Sequence, residues 1–157
     1  RYLGTIRTTS STGQTEDSED RRFVWSYYNQ VTKIMEAKHG SGAGNHTYAT
    51  STWRSFNNST TVGTTRNEFV IGLDQHVHSS QITNFRYGYM YFAYDSTSTP
   101  IQGDISASDG AQSVLDTHAI SSSDVLADGY HFVQAMQYGI NSNSLFGYMR
   151  LETEILC

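Results

Sequence analysis

Arg22-Phe23-Val24-Trp25-Ser26-Tyr27-Tyr28-Asn29-Gln30-Val31-Thr32-Lys33-Ile34-Met35-Glu36 is the stretch on which the reading of this chain turns. In an extended strand Phe23, Trp25 and Tyr27 fall on one side, and Val24, Ser26 and Tyr28 on the other. Aromatic and β-branched residues fill its first half, which suits a pleated, packed surface better than a helix. Asn29-Gln30 interrupts the run, and Val31, Ile34 and Met35 resume it. That gives two strands, or one strand bulged at Asn29. A large aromatic can bury about 150–250 Å², so Trp25 and its neighbours are expected to anchor the core.

Working outward, Tyr2–Thr8 alternates and reads as a strand, and Thr9–Asp20 is a polar loop. His39–Asn45, with three glycines, is a flexible connection. Thr47–Phe56 resumes the alternation, Asn57–Thr65 is a loop, and Glu68–Leu73 is a short apolar strand. From His76 to Asp95 the period is again two. Phe85, Tyr87, Tyr89 and Tyr91 share one face, and Arg86, Gly88, Met90, Phe92 and Tyr94 the other. Large side chains on both faces are expected of a strand covered on both sides, inside a sandwich or at a subunit contact. Ser96–Gly110, which holds the only proline, reads as a long loop, Ala111–Ile120 as a weaker strand and Ser121–Asp128 as a loop. Gly129–Tyr138 alternates. Ser144–Leu156 closes the chain as a strand, although Leu145, Met149, Glu152 and Leu156 are also spaced for a helix face. About eight to ten strands at this spacing describe an all-β sandwich or barrel.

The 157 residues fit one domain, 1–157, with a core that needs no staples. Aliphatics are sparse, and eleven tyrosines stand among many serines, threonines and glycines. The net charge of −5 and the lack of a basic stripe argue against nucleic acid as a partner. The single cysteine, Cys157, cannot form an internal disulfide and rules out a multi-cysteine zinc site. No apolar run approaches the ~18 residues of a membrane helix, so no membrane insertion is expected.

Few constellations could carry chemistry. Glu16-Asp17-Ser18-Glu19-Asp20 offers oxygens to calcium but lacks the glycine turn and ligand spacing of a calcium loop, and reads as a solvated acidic loop. His76-Val77-His78 puts two imidazoles on one strand face, with Asp74, His118 or His131 as third-ligand options. An isolated His-x-His pair does not nominate a metal site. A nucleophile elbow, a His-Glu-x-x-His helix and a phosphate loop are all missing, and no carboxylate pair suggests the roughly 5–9.5 Å spacing of a glycosidase. No catalytic residue, cofactor or metal is therefore assigned, and the chain is read as a non-enzyme. Asn45-His46-Thr47 and Asn58-Ser59-Thr60 match the glycosylation pattern, which chance also produces in a chain this rich in Ser and Thr. Tyrosine pairs a flat apolar face with a hydroxyl and suits carbohydrate or protein contact.

Arg1-Tyr2-Leu3-Gly4-Thr5-Ile6-Arg7-Thr8-Thr9, Gly13-Gln14-Thr15-Glu16-Asp17-Ser18 and Arg22–Asn29 together resemble a domain of tailed-bacteriophage virion proteins, of head fibre, tail fibre or capsid decoration type. Tyr48–Arg54, Asn57-Asn58 and Glu68–Leu73 continue the resemblance in order, and Gly129–Phe132 and Tyr138-Gly139 fit it less distinctively. It covers about the first half of the chain. Gln30-Val31-Thr32-Lys33 departs from the Arg-Val-Pro-Arg-like turn of such domains, and Leu145–Tyr148 from their Trp-Tyr-Gly-Asp-like ending. The resemblance implies an antiparallel, jelly-roll-like β-sandwich at the C-terminal part of a longer virion protein. It implies a location on the phage particle surface, a homotrimer, contact with other capsid or tail proteins, and contact with a host surface glycan. The candidate contact residues are Trp53, Tyr87, Tyr89, Tyr91 and Tyr94, with the loops around Trp53 and Tyr94–Gly110. The strand Phe85–Tyr94 is the candidate subunit contact. A capsid cement protein without host binding and a free carbohydrate-binding lectin are the rival readings.

Overall fold

The stretch 22–36 divides between layers of the fold rather than running through one of them. In the computed structural model, which describes residues 2–40, 44–101, 106–108 (backbone only) and 115–157, its two halves are separate strands joined by residues 27–31. The strands in chain order are β1 (Gly4–Ile6), β2 (Arg21–Arg22), β3 (Val24–Ser26), β4 (Thr32–His39), β5 (His46–Thr47), β6 (Trp53–Ser55), β7 (Arg66–Ile71), β8 (Gln75–Arg86), β9 (Gly88–Tyr94), β10 (Ser106–Ser108), β11 (Asp116–Leu126), β12 (Gly129–Gly139) and β13 (Leu145–Leu156). One sheet has the order β4-β13-β8-β11, with β5 beside the start of β13. The other runs β2-β7-β12-β9-β10, with β6 paired to the end of β12. β1 and β3 form a two-stranded sheet of their own, Thr5 opposite Trp25. All pairings between these strands are antiparallel except β2 with β7.

Without the short β1, β2, β3, β5 and β6, the orders β4-β13-β8-β11 and β7-β12-β9-β10 are those of a jelly roll, whose chain crosses repeatedly between two four-stranded sheets. The expected antiparallel sandwich is therefore present, with short extra strands accounting for the excess over the expected count.

Four sequence expectations change. The expected strand Thr47–Phe56 is strand only near its ends, in β5 and β6, which belong to opposite sheets. The period-two run from His76 to Asp95 is two strands in opposite sheets. Tyr87 takes a left-handed backbone (φ 52°) between them and swings the chain across the sandwich. Phe85 therefore faces the interior from β8, stacked 5.8 Å from Phe146, while Tyr89 and Tyr91 lie on the outer face of β9. Ser121–Leu126 is strand, not loop. It pairs residue for residue with β8 as far as Leu126 opposite Gln75, and this ladder overrides the weak propensity of three serines. In β13 the register slips between Phe146 and Met149, a bulge that resets the alternation. Phe146, Met149, Leu151 and Ile155 consequently all face the core, whereas of the helix-spaced set only Met149 is buried. Residues 102–105 and 109–114, including much of the expected Ser96–Gly110 loop and the start of the expected Ala111–Ile120 strand, lie outside the described residues.

One core joins the sheets, built on Trp25, Met35, Phe56, Phe69, Phe85, Phe92, Phe146 and Leu151. The inner face of β8 contributes Ser79, Gln81 and Thr83, all fully buried, so a polar seam crosses the middle. Asn67 Nδ2 donates to Thr153 Oγ1 at 3.1 Å, and the Tyr94 hydroxyl donates to the Val77 carbonyl at 3.1 Å. These bonds tie one sheet to the other and satisfy groups whose burial would otherwise cost about 1–3 kcal/mol each.

Candidate functional site

The residues expected to contact a partner separate into three environments. Trp53, Tyr138 and Tyr89 stand in one row across β6, β12 and β9, because Tyr138 is in register with both of the others. Their ring centroids are 5.4 Å apart in each pair, and they form a braced aromatic row on the outer face of that sheet. Tyr91 lies on the same face but is only 1 % exposed. Tyr94 points inward, and burial pushes its hydroxyl up to about 12. Tyr87 is a turn residue whose carbonyl accepts from Ile140 N–H at 3.2 Å. The structure thus brings together Trp53 and Tyr89, adds Tyr138, buries Tyr91 and turns the half-buried Tyr94 inward. The bulk on both faces of Phe85–Tyr94 is accounted for within one chain, since Phe85, Met90, Tyr91 and Phe92 are buried there.

A second aromatic group lies at one end of the sandwich. Tyr2 and Thr5 from the β1 region, Tyr27 and Tyr28 after β3, Gly72 and Leu73 after β7, and Asp128 before β12 line an open cleft of about 570 Å³. A hollow of about 490 Å³ shares Gly72, Leu73 and Asp128 and extends the cleft to Asp74. Trp25 supports it from below and is itself fixed by donating from Nε1 to the Leu156 carbonyl at 3.0 Å. Tyr2 packs 6.0 Å from Trp25 and 6.2 Å from Tyr27, and Tyr27 packs edge-on to Tyr28 at 4.9 Å. The Tyr2 hydroxyl also hydrogen-bonds Thr5. Tyr2, Tyr27 and Tyr28 nevertheless remain 45 %, 45 % and 56 % exposed. Gly72 allows this approach: a Cβ there would fall 2.3 Å from both the Trp25 ring and the Tyr2 hydroxyl. The Asp128 wall is held by His131, whose ring nitrogens lie 2.6 Å from Asp95 Oδ2 and 2.8 Å from the Ala127 carbonyl oxygen.

Sequence reading assigned Trp25, Tyr27 and Tyr28 to core alternation and so missed this cleft. The signal was available in Tyr27-Tyr28 followed by Asn29-Gln30, two rings at the point where the strand pattern fails.

The other candidates are engaged elsewhere. Glu16 and Asp17 pair with Arg21 and Arg22 at 3.1 Å each, and Ser18 donates to Glu16 and Asp20. His76 and His78 lie exposed on the outer face of β8. Among the described residues no three His, Cys, Asp or Glu side chains gather as a metal site. Asn45 and Asn58 are exposed. Inside, His39 and His46 face one another at 6.0 Å beside Phe56, and burial lowers both imidazoles below their usual range. His46 Nε2 donates to Gln137 Oε1 at 2.7 Å.

No known family model matches the chain, and no curated protein matches it either.

Proposed function

We propose that this chain is a non-enzymatic structural domain of a tailed-bacteriophage particle. It is displayed on a head fibre, tail fibre or decoration protein, and it meets the host surface through exposed aromatic side chains. One observation carries this reading. Three of the segments that resemble phage virion domains, Arg1–Thr9, Arg22–Asn29 and Glu68–Leu73, lie far apart in sequence yet each place residues on the same open cleft. Tyr2, Thr5, Tyr27, Tyr28, Gly72 and Leu73 all belong to them. A jelly roll alone would not favour it, since the same architecture serves capsid, lectin and enzyme domains.

Immunogold labelling of the source virion with antibody to this domain tests the proposal. Label over the capsid supports a head fibre or cement role, and label at the tail tip supports receptor contact. No label on any particle overturns the virion reading in favour of a free lectin. Sedimentation velocity of the purified chain tests the homotrimer proposed with it, and a monomer at all concentrations would remove that part.

A further inference from the structure

We propose that the cleft lined by Tyr2, Thr5, Tyr27, Tyr28, Leu73 and Asp128 is a binding site for an uncharged saccharide chain. This names a ligand class for the host contact above, but it stands or falls by its own test.

The first argument is preorganisation. Three tyrosines held by tilted and edge-on ring contacts from Trp25 outward remain about half exposed. A site that orders its rings before the ligand arrives loses little side-chain entropy on binding, and tyrosine has few torsions to lose. The second is size and shape. About 570 Å³ lies within the roughly 300–1,000 Å³ of small-molecule sites, and the adjoining hollow at Asp74 makes an elongated trough suited to a chain of sugar units. The third is chemistry. Phenol hydroxyls, the Thr5 hydroxyl and the Asp74 and Asp128 carboxylates offer donors and acceptors to sugar hydroxyls, while the rings offer apolar faces to sugar C–H groups.

Charge then narrows the class. Among the described residues no lysine or arginine lines the cleft, and two carboxylates do. Arg7, a basic neighbour on the same small sheet, is stacked 3.4 Å over Tyr130 instead. Sialylated, phosphorylated and other anionic glycans are therefore disfavoured. A quaternary ammonium ligand would want rings closed around it, and this trough is open.

The test uses the full chain on an array of neutral oligosaccharides built from glucose, galactose, mannose and N-acetylglucosamine, with polysialic acid and choline as rival probes. Isothermal titration follows each hit. The expected result is binding to at least one neutral oligosaccharide, weakened at least tenfold in Tyr27→Ala and Tyr28→Ala and unchanged in Ile140→Ala, an exposed residue outside the cleft. Thermal melts confirm that each variant is folded, which the exposure of Tyr27 and Tyr28 favours. No binding to any neutral probe, preferential binding of polysialic acid or choline, or affinity retained in a folded Tyr27→Ala/Tyr28→Ala double variant would each overturn the proposal. Particle labelling does not enter these outcomes, so virion location and ligand class fail separately.

Discussion

The molecule carries two aromatic groups of similar size, one half-buried and one exposed, assembled in different ways. The row Trp53–Tyr138–Tyr89 is a product of register, with three neighbouring strands each placing one ring on the same line. The cleft of Tyr2, Tyr27 and Tyr28 is a product of turns and chain crossings, brought together from segments spread between Tyr2 and Asp128 and propped on one buried tryptophan. Rings in a cross-strand row stabilise the sheet that carries them. Rings at a strand end contribute less to the sheet and keep more surface for a partner. Identical residue types therefore divide between holding the fold and presenting it.

Substitution at the prop should have the largest effect. Trp25→Ala removes a fully buried indole and its bond to Leu156, and should cost about 3–5 kcal/mol by urea denaturation. A loss under about 1 kcal/mol would mean that the cleft floor is not part of the core. Tyr138→Ala, which breaks both ring contacts of the row, should cost about 1–3 kcal/mol and leave saccharide binding intact. Loss of binding in that variant would erase the division between the two groups.

Acid should separate the two regions further. His39 and His46 titrate below their ordinary 6.5 because burial disfavours the cation. The unfolded chain thus takes up protons first, so stability is complete above 6.5 and declines as the pH falls below it. Melting temperature should drop across that range, and His46→Gln should flatten the slope. Among the described residues no histidine lines the cleft, so saccharide affinity corrected for folded fraction should stay level. Smallest of all, Tyr28→Ala should shift stability by no more than about 0.5 kcal/mol, since most of that ring faces solvent. A larger loss would reclassify Tyr28 as a packing residue.

The strands were legible where large apolar side chains mark them. Gly129–Tyr138 is strand throughout, and Glu68–Leu73 is strand as far as Ile71, with Gly72 and Leu73 in the turn that follows. Legibility failed where pairing rather than side-chain pattern makes the strand, as in the serines of β11 against β8. It failed again where one residue changes the parity, at Tyr87 and in the β13 bulge. None of the contact residues expected from the sequence lines the cleft; Trp53 and Tyr89 stand in the cross-strand row instead. Sequence reasoning could not find the cleft, whose residues are neighbours only after folding.

By itself the sequence determined the class of fold. Period-two alternation, β-branched and aromatic strands, and frequent turns leave an antiparallel sandwich as the way to bury these faces. Only the tertiary structure decided which tyrosines are buried and which are offered to a partner. Alternation specifies two faces of a strand but not what covers each, and cover is set by the crossing of strands between sheets. That crossing seals Tyr91, turns the Tyr94 hydroxyl inward and leaves Tyr2, Tyr27 and Tyr28 open.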